Sequence, residues 1–132
     1  MSSTRRRNEE AEEKARGAVD AFFTAFNSQD QDAHRAALNY PHVRLASGRV
    51  LVVESPDDFN VAFDRLKEAE GWHHSTLDRC EPIHSDENKV HFDVAFSRYK
   101  ADGTKYATHE AVWIITNHAG HWGVQCRSSY AP

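Results

Sequence analysis

The chain has 132 residues, 39% of them hydrophobic and 27% charged, which is the composition of one globular domain and not of a disordered chain. Sixteen Lys and Arg against 20 Asp and Glu give a net charge of −4, which argues against a nucleic-acid partner. No apolar run approaches the roughly 20 residues of a membrane helix. No secretory signal follows the N-terminal arginines, so we expect a cytoplasmic protein.

The first half of the chain predicts three helices behind a disordered tail at residues 1–8, within one domain at 9–132. An apolar face at helical spacing follows a run of glutamates and predicts a long first helix, carried by Ala15, Ala18, Val19, Phe22, Phe23 and Phe26. A short helix is expected over 31–38. Ser55 and Pro56 predict the start of a third helix that ends at Gly71.

Strands account for the rest of the chain. A hairpin around Ser47 and Gly48 joins strands at 42–46 and 49–54. After Gly71 the pattern predicts four antiparallel strands, near 72–84, 90–97, 106–116 and 122–130. Helices packed on one curved antiparallel sheet make an α+β fold.

Two predicted loops set the strand register. Three-residue turns at 101–103 and 118–120 would place Arg98, Tyr106, Thr108, Glu110 and Ser128 on one face, as the polar end of a pocket beneath the helices. The opposite face would then carry large apolar side chains into solvent, which usually indicates a partner. We therefore expect a homodimer through that face, which carries Trp113, Ile115, Gln125 and Arg127.

The chain resembles the nuclear transport factor 2-like (NTF2-like) superfamily, and within it the SnoaL-like, ketosteroid isomerase-like branch. The resemblance spans about 9–130 and is carried by the opening helix at 18–26, the segment YPHVRLASG at 40–48 and the last strand, GHWGVQCRSS, at 120–129. It implies a cone-shaped fold with a ligand cavity between helices and sheet, and a dimer. It does not imply one activity, because the superfamily includes isomerases, cyclases, dehydratases, binding proteins and assembly domains.

Four residues are candidates for chemistry. His74 could act as a general acid or base, since adjacent histidines on a strand point to opposite faces and only one of His73 and His74 can enter a pocket. Arg98 and Glu110 would form either a structural ion pair or a site in which Arg98 binds a carboxylate or enolate and Glu110 moves a proton. Tyr106 could stabilise charge beside them.

The remaining pocket candidates are Trp72, Phe22, Phe26, Tyr40, His42, Phe96, Thr108 and Ser128. The spacing of the histidines predicts no metal site, and no nucleotide-binding motif occurs, so we expect no cofactor. The leading hypothesis is a protein that binds a small organic molecule in an apolar cavity, with isomerase, cyclase or dehydratase activity by cofactor-free proton transfer. The alternative is a non-enzymatic binding or assembly domain.

Overall fold

The computed structural model describes residues 5–132, and its second and third helices are shorter than predicted. Helix α1 is Glu9–Ser28, α2 is Gln31–Ala36 and α3 is Phe63–Glu70. The side chain of Asn8 accepts the Ala11 N–H at the start of α1, as an N-cap does. The prediction of a helix from Ser55 is wrong, because Pro56–Asp58 forms only a 3-10 turn. Phe59 is then extended, with its carbonyl accepting from Arg35 at 2.7 Å.

Six strands form one sheet on which the helices pack. They are β1 Leu38–Ala46, β2 Arg49–Val53, β3 Trp72–Ser85, β4 Lys89–Lys100, β5 Lys105–His118 and β6 His121–Ser129. Their order is β2-β1-β6-β5-β4-β3. Neighbours are antiparallel except β1 and β6, which run parallel. The predicted α+β fold with a curved sheet is confirmed, and the sheet is mixed.

Two bulges correct the predicted register. The loop between β4 and β5 closes as expected, with Lys100 N–H donating to the Thr104 carbonyl at 2.9 Å. The pairing then shifts by one residue between Arg98 and Tyr99, so that Phe96 lies opposite His109 and not Thr108. An additional residue in one strand of an antiparallel pair has this effect.

The second correction concerns β5 and β6. They are joined by a two-residue turn with His118 opposite His121, and their pairing shifts once more between Ile114 and Ile115. A shift by one residue moves every later side chain to the other face of the sheet. The inward-facing residues of β5 are therefore those that the sequence assigns to solvent.

The predicted dimer face is consequently wrong. Trp113 is 2% exposed and Ile115 is fully buried, both within a single chain. Gln125 and Arg127 hydrogen-bond to Pro41 and His42 of β1. A homodimer stays a prediction, but these side chains are committed to contacts inside the fold.

The segment before α1 contacts the far end of β3. The Arg6 carbonyl accepts from Ser85 N–H at 2.9 Å, and the Arg7 guanidinium pairs with Glu12 at 2.6 Å. Residues 6–8 of the predicted disordered tail therefore lie against the domain. Residues 1–4 of that tail are outside the described residues.

The core lies between α1 and the inner face of the sheet. Val19 of α1 is fully buried in one cluster with the aliphatic side chains Val90, Val94, Ile115 and Val124. Toward the C-terminal end of α1 the core becomes aromatic and then opens. At Gly123, β6 approaches β1 so closely that an added Cβ would lie 2.7 Å from the Leu38 carbonyl carbon. None of the helices in residues 5–132 is long and apolar enough to cross a membrane.

Candidate functional site

A narrow cavity opens between the C-terminal half of α1 and the inner face of the sheet. Its interior volume, measured for the centre of a water molecule, is about 40 Å³, and one water needs roughly 10–15 Å³ on that measure. Its lining residues are Phe22, Phe23, Phe26, Arg44, Ser75, Phe96, Arg98, Trp113, Arg127, Ser129 and Ala131. A small molecule is the occupant that fits this size.

Helix α1 and strand β5 build the aromatic wall. Phe22 and Phe26 are four residues apart and so lie on one face of α1, with ring centroids 6.0 Å apart. Phe23 stacks on Trp113 at 5.4 Å with an interplanar angle of 6°. Phe22 meets Trp113 edge-on at 4.7 Å. These contacts hold the rings rigidly in place.

Arg127 of β6 brings a cation to this wall. Its guanidinium carbon lies 5.1 Å from the Phe22 ring centroid and 5.8 Å from that of Trp113. Its Nε donates to Nε2 of His42 at 3.1 Å. Among residues 5–132, the two terminal amino groups of Arg127 have no hydrogen-bond acceptor and no carboxylate partner. Both groups are therefore free to donate to a ligand.

His42 fixes the orientation of that guanidinium. It is fully buried, and its Nδ1 lies 2.9 Å from the Val124 carbonyl. Because a carbonyl only accepts, Nδ1 carries the proton, and Nε2 is the acceptor for Arg127. Burial lowers the pKa of His42 to about 4, with further lowering by Arg127. The ring is therefore neutral at pH 7, as its role as an acceptor requires.

Arg98 lies at the other side of the cavity and has a partner. Its Nη1 donates to both carboxylate oxygens of Glu70, at 3.0 and 3.2 Å. The Tyr106 hydroxyl donates to the same carboxylate at 2.7 Å. Burial, followed by the Glu70 carboxylate, raises the pKa of Tyr106, so the phenol keeps its proton. Glu70 thus neutralises Arg98.

Arg44 of β1 is the third cavity arginine. Its Nη2 donates to the Ala131 carbonyl and the Pro132 oxygen, at 3.4 and 3.3 Å. Burial and the nearby Arg98 lower its pKa. Burial, then Arg44, lower the pKa of Arg127 to about 9, so both guanidiniums remain charged at neutral pH. Arg127 and Arg44 have no Asp or Glu partner within residues 5–132, and the cavity is electropositive.

The structure brings some of the predicted site residues together. Phe22, Phe26 and Phe96 line the cavity, and so does the catalytic candidate Arg98. Tyr106 joins Arg98 through Glu70, a residue that the sequence interpretation does not select.

Other predicted residues lie on the opposite face of the sheet. Glu110 pairs there with Arg79 at 3.2 Å, with 69% of its side chain exposed. Thr108 bonds to Ser97 on the same face, and Ser128 is exposed. His74 stacks on Tyr99 at 4.8 Å outside the cavity lining. The expectation that Glu110 and Arg98 meet is therefore wrong, because the bulge in β5 turns Glu110 outward.

Three further candidates lie outside the lining, and two of them hold lining residues in place. The Trp72 indole donates to Ser75 at 3.0 Å, and the Tyr40 hydroxyl donates to the Arg35 carbonyl at 2.9 Å. His42 holds Arg127. None of them is itself part of the lining.

Sequence reasoning missed the two residues that define the site, Arg127 and Trp113. It did place them together on one face of the sheet, and this shared face is the signal that could have identified them. It assigned that face to solvent. Arg44 and Phe23 were also missed as lining residues. Within residues 5–132 no three His, Cys, Asp or Glu side chains come together as a potential metal site.

A helical layer over a curved sheet with a cavity between them is the cystatin-like, NTF2-like architecture, and solved structures share it. A cystatin-like protein from Nostoc punctiforme matches with a TM-score of 0.75 at 7% identity, covering 98% of this chain and 96% of that one. An NTF2-like protein from Novosphingobium aromaticivorans has a TM-score of 0.73 at 12% identity, over 92% and 82% of the two chains. A ketosteroid isomerase-like protein from Erwinia carotovora has 0.64 at 23%, over 96% and 100%.

The chain belongs to the NTF2-like protein family DUF6841, whose model matches residues 9–129. This confirms the superfamily inferred from the sequence. No curated protein matches the sequence. These three structures are below 25% identical to this chain and share the fold alone, so the function has to be argued from the cavity.

Proposed function

We propose that this protein binds a small organic anion, with the acidic group of the ligand on Arg127. The observation that carries the proposal is the unpartnered pair of terminal amino groups on Arg127, whose Nε is already held by His42. Two parallel N–H donors match the two oxygens of a carboxylate, and such bidentate pairs are among the stronger hydrogen bonds in proteins. A rigidly held guanidinium loses little freedom when a ligand arrives.

The charges around the cavity support an anionic ligand. Glu70 is engaged by Arg98 and Tyr106, and Arg127 and Arg44 have no Asp or Glu partner in residues 5–132. A charge that is removed from water costs free energy unless it is paired. A bound anion pairs with the charge and removes that cost, which favours the ligand-bound protein.

Proton transfer, the activity expected from the sequence, has less support than binding. His74 and Glu110 do not line the cavity. Both nitrogens of His42 are engaged, by Val124 and Arg127. The carboxylate that bonds to the cavity residue Arg98 is that of Glu70, and it already accepts hydrogen bonds from both Arg98 and Tyr106. We therefore propose binding without assigning an isomerase, cyclase or dehydratase reaction.

Calorimetric titration of the full chain tests the proposal. The probes are benzoate and cyclohexanecarboxylate, each compared with its neutral amide. We expect both acids to bind about 10- to 100-fold more tightly than their amides, the range for hydrogen bonds to a charged group. Arg127→Met should remove this preference for the acid.

Arg79→Met is the matched control, because Arg79 lies on the outer face in a pair with Asp93 and Glu110. It should bind both acids as the unmodified chain does. Equal affinity for acids and amides, or an unchanged preference in Arg127→Met, would contradict the proposal.

A further inference from the structure

The apolar part of the cavity is almost entirely aromatic. Five aromatic side chains and one alanine make up its apolar lining, namely Phe22, Phe23, Phe26, Phe96, Trp113 and Ala131. We infer that the ligand is a small aromatic carboxylate, with its ring against this wall and its carboxylate on Arg127. The inference rests on the proposed function and names the class of ligand for that site.

The separation of aromatic from aliphatic side chains carries the argument. Aliphatic residues are plentiful on the inner face of the sheet, but Val90, Val94 and Ile115 are fully buried and none of them lines the cavity. The core therefore has branched aliphatic side chains available and places flat aromatic rings at the opening. Flat walls complement a flat ligand, whose ring can stack on or meet edge-on the rings of the wall.

The arrangement of the rings leaves them little freedom to accommodate a thicker ligand. Phe23 and Trp113 are nearly parallel, and Phe22 closes on Trp113 at an interplanar angle of 70°. Guanidinium groups lie over three of the rings, since Arg127 covers Phe22 and Trp113 and the Arg98 guanidinium carbon is 5.8 Å from the Phe96 centroid. Guanidinium planes themselves stack on aromatic faces. A planar ring conjugated to its carboxylate can pack against the aromatic rings and the guanidinium planes at the same time.

The cavity size limits the number of rings. Its interior volume is only about 40 Å³ for the centre of a water molecule, the room of a few waters. A fused polycyclic ligand is too large for this interior, and a single ring bearing a carboxylate is the smallest member of the aromatic class.

The experiment compares benzoate with cyclohexanecarboxylate, which has the same carboxylate and ring size but is not planar. We expect benzoate to bind about 5-fold more tightly, equivalent to ~1 kcal/mol of aromatic contact. Phe96→Leu should reduce this ratio toward one. Phe92→Leu is the control. Phe92 is on the same strand and face, four residues from Phe96, but it is 1% exposed and outside the lining.

The two hypotheses fail differently. Equal binding of the two acids, each tighter than its amide, would overturn the aromatic class and leave anion binding intact. Absence of any preference for acids over amides would overturn the proposed function and this inference together. The ratio in the unmodified chain needs no variant, so a misfolded mutant cannot obscure the result.

Discussion

The Nε of Arg127 donates to Nε2 of His42 at 3.1 Å, and the opposite nitrogen of the same imidazole lies 2.9 Å from the Val124 carbonyl. The guanidinium is thus tied through a buried ring to its own strand. This makes His42 a positioning residue: it holds Arg127 without lining the cavity.

Replacing His42 should therefore weaken anion binding. In His42→Phe the ring volume remains but Arg127 loses its acceptor, and we expect about 10-fold weaker binding of benzoate, near the value of one hydrogen bond to a charged group. Calorimetry with benzoate and benzamide measures the effect. His42→Gln, which offers an amide oxygen to Arg127, should restore part of the preference for the acid. A variant with lower stability and an unchanged preference would assign His42 a purely structural role.

Glu70→Gln should couple stability to ligand binding. Only 10% of the Arg98 side chain and 25% of the Glu70 side chain are exposed, and breaking such a pair leaves a charge in a poorly solvated place, at a cost of about 3 kcal/mol. Thermal unfolding should show a lower Tm without ligand. A larger Tm increase on adding benzoate than in the unmodified chain should follow, because the cavity gains an unpaired cation.

The control for Glu70→Gln is Glu110→Gln, which breaks an exposed pair with Arg79. It should cost less than about 1 kcal/mol and leave the benzoate-induced shift unchanged. Equal effects of the two substitutions would mean that Glu70 does not influence the charge of the cavity.

His34 should make the fold sensitive to acid. It is 1% exposed, its ring nitrogens have no hydrogen-bond partner, and it packs on Phe22 at 4.6 Å. Burial, followed by Arg127, lowers its pKa to about 3. The unfolded chain takes up this proton near pH 6.5, whereas the folded chain does not, so stability falls as the pH drops below 6.5. Between pH 6.5 and 4.5 the loss is about 2–3 kcal/mol.

Urea denaturation at those two pH values measures the effect of His34. His34→Phe should lose about 2–3 kcal/mol less than the unmodified chain over this interval, while His42, with its pKa near 4, still contributes. His73→Phe, at an exposed position, should behave as the unmodified chain does. If His34→Phe loses as much stability over this interval as the unmodified chain, His34 is not the group that makes the fold sensitive to acid.

Neighbouring residues of β5 test the corrected register. Trp113 is 2% exposed and Val112 is 42% exposed, so they face opposite sides of the sheet. Trp113→Ala should lower the free energy of unfolding by about 3–5 kcal/mol because it opens a cavity in the core. Val112→Ala should change it by less than about 1 kcal/mol. The reverse order, measured by urea denaturation, would restore the register expected from the sequence.

Local patterns were sufficient for most of the elements. The spacing of Phe22 and Phe26, the glycine at residue 71 and the alternation from Val90 to Phe96 predict α1, the end of α3 and the inner face of β4, and all three are confirmed. These signals work because helix and strand periodicity depend on neighbours along the chain. The pocket aromatics on α1 and β4 follow from the same patterns.

The sequence by itself determined the α+β class, the family and the aromatic end of α1. Only the tertiary structure decided which face of β5 and β6 is inside, and with it the site. Two pairing shifts, near Tyr99 and Ile115, turn Arg127 and Trp113 inward and Glu110 outward. A bulge has no consistent local signature, because it is stabilised by the packing of both faces of the sheet. The sequence therefore shows that Arg127 is present in the last strand. Which face of the sheet its side chain occupies depends on contacts between strands that are distant in the sequence.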